Sequence, residues 1–289
     1  MARKLETTPP LGEEGYARTF AVLTTTTTEY IAMNKIAGKV ITESNFDQKP
    51  VQMLSVGAGT GHFEVQLVKD LGLKLEYIFA IEPNTKHVPD LEAALKSFDV
   101  EYDISKSFFN KDFEFDKDCE RAKQNFDFIL FSHSLYGFDD PFEAISHATK
   151  FLKPSGKMLI INQGSPSSAE LFTYLMNNSD PDVFPAGKVI GNHSLTAEKM
   201  ISYFQKEHPS LPMSLIEEMT YVDFDSFVRK TGEEGNDEAV SFFLQAEYKN
   251  LSKEAQNDIY NIVASECELI DDKYCRRHLC VGIVLSLEV

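Results

Sequence analysis

Residues 51–82 restrict the possible folds more than any other stretch of this chain. Residues 51–56 are a short apolar run, Gly57-Ala58-Gly59-Thr60-Gly61 is a glycine loop, and Phe63, Leu67 and Leu71 then recur at four-residue spacing over 62–71. A second apolar run over 75–81 ends in Glu82-Pro83-Asn84. Strand, glycine turn, helix, strand and acid, in that order, open a parallel sheet whose carboxyl edge binds ligands. Glycines at such a turn let the backbone approach a ligand, because no Cβ intrudes. Glu82 follows Gly61 by 21 residues, where a carboxylate can accept hydrogen bonds from both ribose hydroxyls of an adenosine group. The dinucleotide fingerprint is G-x-G-x-x-G. Here the spacing is G-x-G-x-G, with His62 in place of the third fingerprint glycine, which favours S-adenosylmethionine over NAD. A lone glycine loop is often only a tight turn, so the ordered set carries the reading.

The same grammar continues. The pattern predicts helices over 90–98 and 142–152, the latter stopped by Lys153-Pro154-Ser155-Gly156, and strands over 126–131 and 157–162. Strands alternating with helices imply a sheet covered on both faces. Buried parallel strands read as unbroken apolar runs, as Ile129-Leu130-Phe131 and Met158-Leu159-Ile160-Ile161 do. The expected fold is α/β and Rossmann-like. Upstream, residues 16–41 read as helical, with Tyr16, Phe20 and Leu23 on one face and a threonine run, 24–28, against helix propensity. The C-terminal half is less regular: helices are expected over 169–176, 196–207 (capped by Ser194 or Thr196), 238–246 and 252–265, and strands over 219–227 and 280–287.

Charge narrows the partners. The net charge is −17 and the pI about 4.8, a surface that repels phosphate backbones and anionic membranes, so neither nucleic acid nor membrane is an expected partner. No apolar stretch reaches the length of a membrane span, and the first residues lack the apolar core of a secretory signal. Cys119, Cys267, Cys275 and Cys280 form no CxxC pair, so reduced thiols in a cytoplasmic protein are expected, with no metal site. Without a long heptad pattern, a monomer is the default.

Further candidates lie after the strand at 126–131. Ser132-His133-Ser134-Leu135-Tyr136 follow it and so fall at the ligand edge. A histidine there is as readily a satisfied loop residue as a functional one. The aromatic face of the N-terminal helix reads either as core packing or as a lid over an acceptor, and Glu29, taken alone, reads as a solvent-exposed glutamate.

The segments LSVGAGTGHFEVQL, AIEPN, NFDFILFSHSLYGFDD and LKPSGKMLIINQGS resemble the motifs of class I methyltransferases in their order. With EGYARTFAVLTTTTTEYIAMNK at the N-terminus, the chain is similar to histamine N-methyltransferases from about residue 13 to the last strand. The resemblance implies a mostly parallel seven-stranded sheet, an N-terminal helical cap and a C-terminal substrate-binding elaboration. Residues 1–12 are then a disordered tail and 13–289 a methyltransferase unit. Residues 46–165 form its S-adenosylmethionine-binding core, and 13–45 with 166–278 its acceptor cap. It implies Gly57, Gly59 and Glu82 for the cofactor, with Ser107 and Ser132 on the adenine side. It makes Glu29 the amine-binding residue, with Tyr16, Phe20, Leu23 and Tyr136 lining the acceptor. His133 stands where the family has a glutamine, Cys280 near where it has an asparagine, and Phe172 replaces one of two pocket tryptophans in a chain without tryptophan.

The activity this implies is methyl transfer to a nitrogen of a small, histamine-like amine. Such a transfer is an in-line displacement, so positioning the nucleophile is the protein's main task. Glu29 would hold a cationic tail while an uncharged nitrogen faces the methyl group, with Tyr16, Phe20 and Tyr136 as aromatic walls, and His133 would orient the acceptor or take its proton. The alternatives are a methyltransferase for another biogenic amine, a thiol or a carboxylate, and a non-catalytic module that binds S-adenosylmethionine. A carboxylate acceptor would meet like-charge repulsion from Glu29. A dinucleotide oxidoreductase is a distant further reading.

Overall fold

The computed structural model describes residues 11–116, 121, 125–165, 195–230, 237–244 and 246–287. The strands are β1 (Val51–Val56), β2 (Leu75–Ile81), β3 (Glu101–Ser105), β4 (Phe126–Ser132), β5 (Leu152–Gln163), β6 (Met213–Asp223), β7 (Glu268–Ile270) and β8 (Lys273–Ser286). Their order in the sheet is β3-β2-β1-β4-β5-β8-β6, with β7 paired to β8 off this path. Strands β1 to β5 run parallel and β8 runs antiparallel to β5. The seven-stranded path is the expected one, and β7 adds a short hairpin arm. The helices are α1 (Glu13–Thr26), α2 (Glu29–Glu43), α3 (His62–Lys69), α4 (Val88–Lys96), α5 (Pro141–Ala148), α6 (Ala197–Glu207), α7 (Asp225–Arg229), α8 (Glu238–Leu244) and α9 (Lys253–Glu266). Among the described residues, no helix is long and apolar enough to cross a membrane.

The chain divides into two compact units. One contains the described residues within Met33–Gln163, Leu195–Glu218 and Cys280–Val289. It therefore takes in most of α2 and residues 195–218, which the sequence assigns to the cap. Every residue of β1 is buried, as an apolar run covered on both faces should be. Phenylalanine, at 22 residues in a chain without tryptophan, supplies the bulk. Phe109, Phe113 and Phe115 pack on one another and on Phe79, Phe126, Phe131 and Phe151. Helix α2 lies close on β8 through Gly282, where an added Cβ would sit 2.3 Å from Ile36 Cγ2.

The other unit contains the described residues within Met1–Ala32, Gly164–Ser194 and Met219–Leu279. Its core joins Leu23 to Val222, Phe224, Phe227, Val240, Phe243, Leu244, Ile259 and Val263. Leu11, assigned by sequence to the tail, is 3% exposed, because it packs against Gly15 in the first turn of α1. Arg18 on α1 pairs with Glu238 and Glu247. The threonine run has a definite structure. The hydroxyls of Thr24, Thr25 and Thr26 donate to carbonyls one turn back, which satisfies them inside a helix. Thr27 then turns extended and bridges Val222, while Thr28 N donates to Tyr221 O at 2.9 Å. The run thus ends α1 and starts α2.

Elsewhere the expected bounds shift. The segment 219–227, read as a strand, is strand only to Asp223, and α7 begins at Asp225. Strand β5 starts at Leu152 and passes through Pro154. Thr196 occupies the N-cap of α6 without a side-chain capping bond. The helix expected over 169–176 and the candidate Phe172 lie outside the described residues, as do Cys119 and Ser194.

Candidate active site

Strand register builds the edge. Val56 pairs with Ile81 on one side and Phe131 on the other, so Gly57, Glu82 and Ser132 leave three adjacent strands at one level. Strands β2 and β3 extend the sheet to one side of β1, and β4 lies on the other. That reversal is the switch point where α/β sheets open a ligand crevice.

Gly57 N and Ala58 N both donate to Ile81 O, at 2.8 and 3.1 Å, tying the loop to β2. Gly57, Gly59 and Gly61 have φ of 74°, 56° and 76°. A Cβ on Gly61 would lie 2.9 Å from Leu91 Cδ1 and 3.0 Å from Ala94 Cβ, so this glycine seats α3 against α4. Among the described residues, a Cβ on Gly59 would meet nothing within 4 Å: this is the loop's open side.

Glu82 is 6% exposed. Its Oε2 accepts from Gly59 N at 2.7 Å, its Oε1 accepts from Asn84 N at 2.8 Å, and His87 Nδ1 stands 3.8 Å from Oε1. A carboxylate has about four lone-pair positions, so one more on each oxygen remains for a vicinal diol. Beside the loop, Ser134 lies against Gly57, with its Cβ 2.4 Å from where a Gly57 Cβ would stand. The Ser134 hydroxyl is buried and makes no hydrogen bond to the described residues. An open glycine face, a carboxylate with spare acceptor positions and an unsatisfied hydroxyl fit an adenosine-bearing cofactor with a polar tail.

Beneath the loop lies a carboxyl group that sequence reading passed over. Glu64, in the first turn of α3, is 3% exposed, and Ser55 Oγ donates to its Oε1 at 2.5 Å. Burial raises its pKa from the ordinary 4.5 to about 7; the bonds from Ser55 and its own backbone N–H oppose the rise, and the charge of Glu82 adds to it. The native state therefore holds a proton that the unfolded chain releases near pH 4.5. The stabilisation is complete below that pH and is lost as pH rises to about 7, a change of about 3 kcal/mol. Glu64→Gln keeps a neutral side chain and is expected to be more stable than the parent at pH 8 and to flatten the slope between pH 5 and 8. Urea titrations at the two pH values measure this, and an unchanged slope would refute it.

Past β4, His133 adopts φ 48°, a left-handed conformation uncommon outside glycine. Its backbone N donates to Ile161 O at 3.0 Å. Its Nδ1 lies 3.3 Å from the Tyr136 hydroxyl, and the two rings stack at 6.1 Å. The same hydroxyl accepts from Gln163 N at 3.3 Å, and Gln163 pairs in register with the fully buried Cys280. The ends of β4 and β5, against the middle of β8, thus bring His133, Tyr136, Gln163 and Cys280 together, Gln163 being a member the sequence reading missed. Ser132 sits half-buried at the end of β4, whereas Ser107 is exposed, with its N–H turned to Ser105 Oγ at 3.3 Å.

In the other unit, Tyr16 and Phe20 stack at 6.0 Å and both meet Phe242. Leu23 instead faces the core, at 7% exposure, because the α1 stripe splits between packing and surface. Glu29 opens α2 and is not a solvated glutamate: its side chain is 21% exposed and its Oε1 lies 3.0 Å from His278 Nε2. His278, on β8, is another residue the sequence left unmarked. Its partner is at the far end of the chain, so no local pattern reveals it.

This geometry defines an α/β enzyme fold built to hold a nucleoside-bearing cofactor at the β1–β4 switch point. The chain belongs to the methyltransferase domain family, whose sequence profile matches residues 30–208. Among curated proteins none matches it. Among solved structures, plantazolicin methyltransferase BamL, in complex with a triazolic desmethylPZN analog and SAH, is 15% identical, with 95% of this chain and 90% of that one covered at a TM-score of 0.53. Plantazolicin methyltransferase BpumL in complex with SAH is 11% identical, with coverage of 93% and 90% and a TM-score of 0.50. YcgJ protein from Bacillus subtilis is 14% identical, with coverage of 88% and 99% and a TM-score of 0.51. At such identities the likeness is one of fold.

Proposed function

We propose that this chain transfers a methyl group from S-adenosylmethionine to a nitrogen of a small, histamine-like amine. The observation that carries the cofactor reading is Glu82, buried, fastened to the glycine loop and still able to accept from two hydroxyls. S-adenosylmethionine, when bound, supplies an electrophilic methyl group on a sulfonium. Glu82 takes the ribose hydroxyls, Gly57 and Gly59 admit the cofactor to the backbone, and Ser132 and Ser107 stand on the adenine side. Glu29 holds the cationic tail of the acceptor, and Tyr16 and Phe20 add cation–π attraction. His133, steadied by Tyr136, orients the acceptor nitrogen or takes its proton. Cys280, near where the family has an asparagine, stands on the acceptor side.

Incubating the protein with methyl-labelled S-adenosylmethionine and a panel of small amines that includes histamine tests the reading. Label on a ring nitrogen of an imidazole-bearing amine is the expected result. Label on thiol or carboxylate acceptors alone would overturn it. Glu29→Gln is expected to raise the acceptor KM by roughly tenfold to a hundredfold, the loss of one charge-assisted bond. Its affinity for S-adenosylhomocysteine should stay within about twofold of the parent. Equal loss of both would count against a role confined to the acceptor.

A further inference from the structure

We propose that His278 is a positioning residue for acceptor recognition, holding the Glu29 carboxylate in the orientation that receives a cationic amine. This rests on the reading that Glu29 binds the amine.

Glu29 is the first residue of α2, where the helix dipole favours a negative charge. Its backbone N donates to Thr27 Oγ1 at 3.1 Å, which fixes the main chain at that point. The side chain is long, and left to rotate it would lose rotamer entropy whenever a ligand captured it. His278 limits that freedom by standing against the carboxylate. Its side chain is 9% exposed, and its Nε2 lies 3.0 Å from Glu29 Oε1, at ion-pair distance but outside hydrogen-bond alignment. The imidazole stands on β8, which runs unbroken from Lys273 to Ser286, and sites carried on a strand are held more closely than sites on loops. Arg276, two residues earlier and so on the same face of the strand, is 5% exposed and pairs with Glu266 at 2.8 Å. That pair gives the stronger cation a carboxylate of its own, while the imidazole stands beside Glu29. An arginine at Glu29 would compete with any substrate cation through a bidentate grip. An imidazole touches a single carboxylate oxygen, and a carboxylate offers about four lone-pair positions, more than one such contact takes up. The substrate class that suits this arrangement is a small amine that is cationic at the end away from the methylated nitrogen.

His278→Phe keeps a ring of similar size and removes the polar contact. His278→Gln carries an amide that reaches about as far as Nε2. Both variants, with Glu29→Gln, are assayed for KM and kcat. The acceptors are a cationic amine the parent methylates and its analogue with a hydroxyl in place of the ammonium. His278→Phe is expected to raise KM for the cationic amine about tenfold, with kcat within about twofold and KM for the hydroxyl analogue unchanged. His278→Gln should recover most of the loss. The proposal is overturned if His278→Phe leaves the cationic KM unchanged, if both acceptors suffer equally, or if the glutamine gives no recovery. If Glu29→Gln itself leaves the cationic KM unchanged, the amine-binding reading fails and this inference falls with it. If Glu29→Gln acts and His278→Phe does not, only the inference fails. Should the phenylalanine variant not fold, the ring resonances of His278 in the parent protein decide. They should shift on adding the cationic amine and not on adding the hydroxyl analogue; no difference between the two would refute the proposal.

Discussion

Glu82→Ala is expected to weaken binding of S-adenosylhomocysteine by about a hundredfold or more, measured by calorimetry. A hydrogen bond to a charged group contributes about 1.5–3 kcal/mol, and on the proposed reading two ribose hydroxyls would lose their acceptor together. The alanine also abandons two backbone donors, since Gly59 N and Asn84 N both end on this carboxylate, at 2.7 and 2.8 Å. The glycine loop then loses the bond that sets its open face, so binding falls through misplacement as well as through lost contacts. Glu82→Gln separates these effects less gently than its shape suggests. An amide offers one acceptor oxygen, and its NH2 must face the other backbone N–H, donor against donor. Glutamine is therefore expected to behave much closer to alanine than to glutamate. Binding within about threefold of the parent in Glu82→Ala would remove Glu82 from the cofactor site. Stabilisation of the parent protein by NAD rather than by S-adenosylmethionine would overturn the choice of cofactor.

What sequence alone could show divides along physical lines. Strand β1, the glycine loop, α3, β2 and Glu82 were legible because each is local: an apolar run, a positive-φ turn and a following acid lie within one short stretch. Strands β4 and β5 were legible for the same reason. Strand β3 was not, because Glu101–Ser105 is partly exposed along its length and carries no apolar run. Strand β6 was half missed, since its first six residues have no buried member and so lack the apolar signal of a strand. The β7–β8 hairpin turns on Asp271-Asp272, with φ of 48° and 63°. Such two-residue turns require positive φ at both positions, and aspartate tolerates it, so this signal was present and went unread. The acceptor-side residues are a different matter. Glu29 alone read as a solvated glutamate, and only the family resemblance singled it out. Its contact with His278 is made by tertiary structure, and no periodicity encodes a pair drawn from opposite ends of the chain. Glu64 illustrates the same point. A glutamate on a short amphipathic helix is assigned to solvent, and burial against Ser55 appears only when β1 and α3 pack.

Gly57→Ala is expected to lower the melting temperature by roughly 5–10 °C and to abolish measurable cofactor binding. The residue sits at φ 74°, and its new Cβ would come within 2.4 Å of Ser134 Cβ. Positive φ costs a non-glycine residue about 1–2 kcal/mol, and overpacking of this severity adds about 1–3 kcal/mol. The clash cannot be relieved by a rotamer change, because Cβ is fixed to the backbone. Ser134 must therefore move, and with it the turn after β4 that carries His133, whose own φ of 48° leaves little slack. A second variant isolates the clash. Gly57→Ala combined with Ser134→Gly removes the opposing Cβ and is expected to recover most of the lost stability, leaving only the φ penalty. Gly59→Ala supplies the contrast, since its Cβ would meet nothing within 4 Å among the described residues. It pays the φ penalty alone, so stability should fall by only about 1–2 kcal/mol, and on the proposed reading its methyl group would project where the cofactor approaches, so binding is lost. Thermal melts with and without S-adenosylhomocysteine on the three variants read both quantities. If Gly57→Ala melts with the parent, or if the double variant shows no recovery, the close seat of Ser134 on the glycine loop is not what shapes this edge. If Gly59→Ala binds normally, its open side is not the side the cofactor takes.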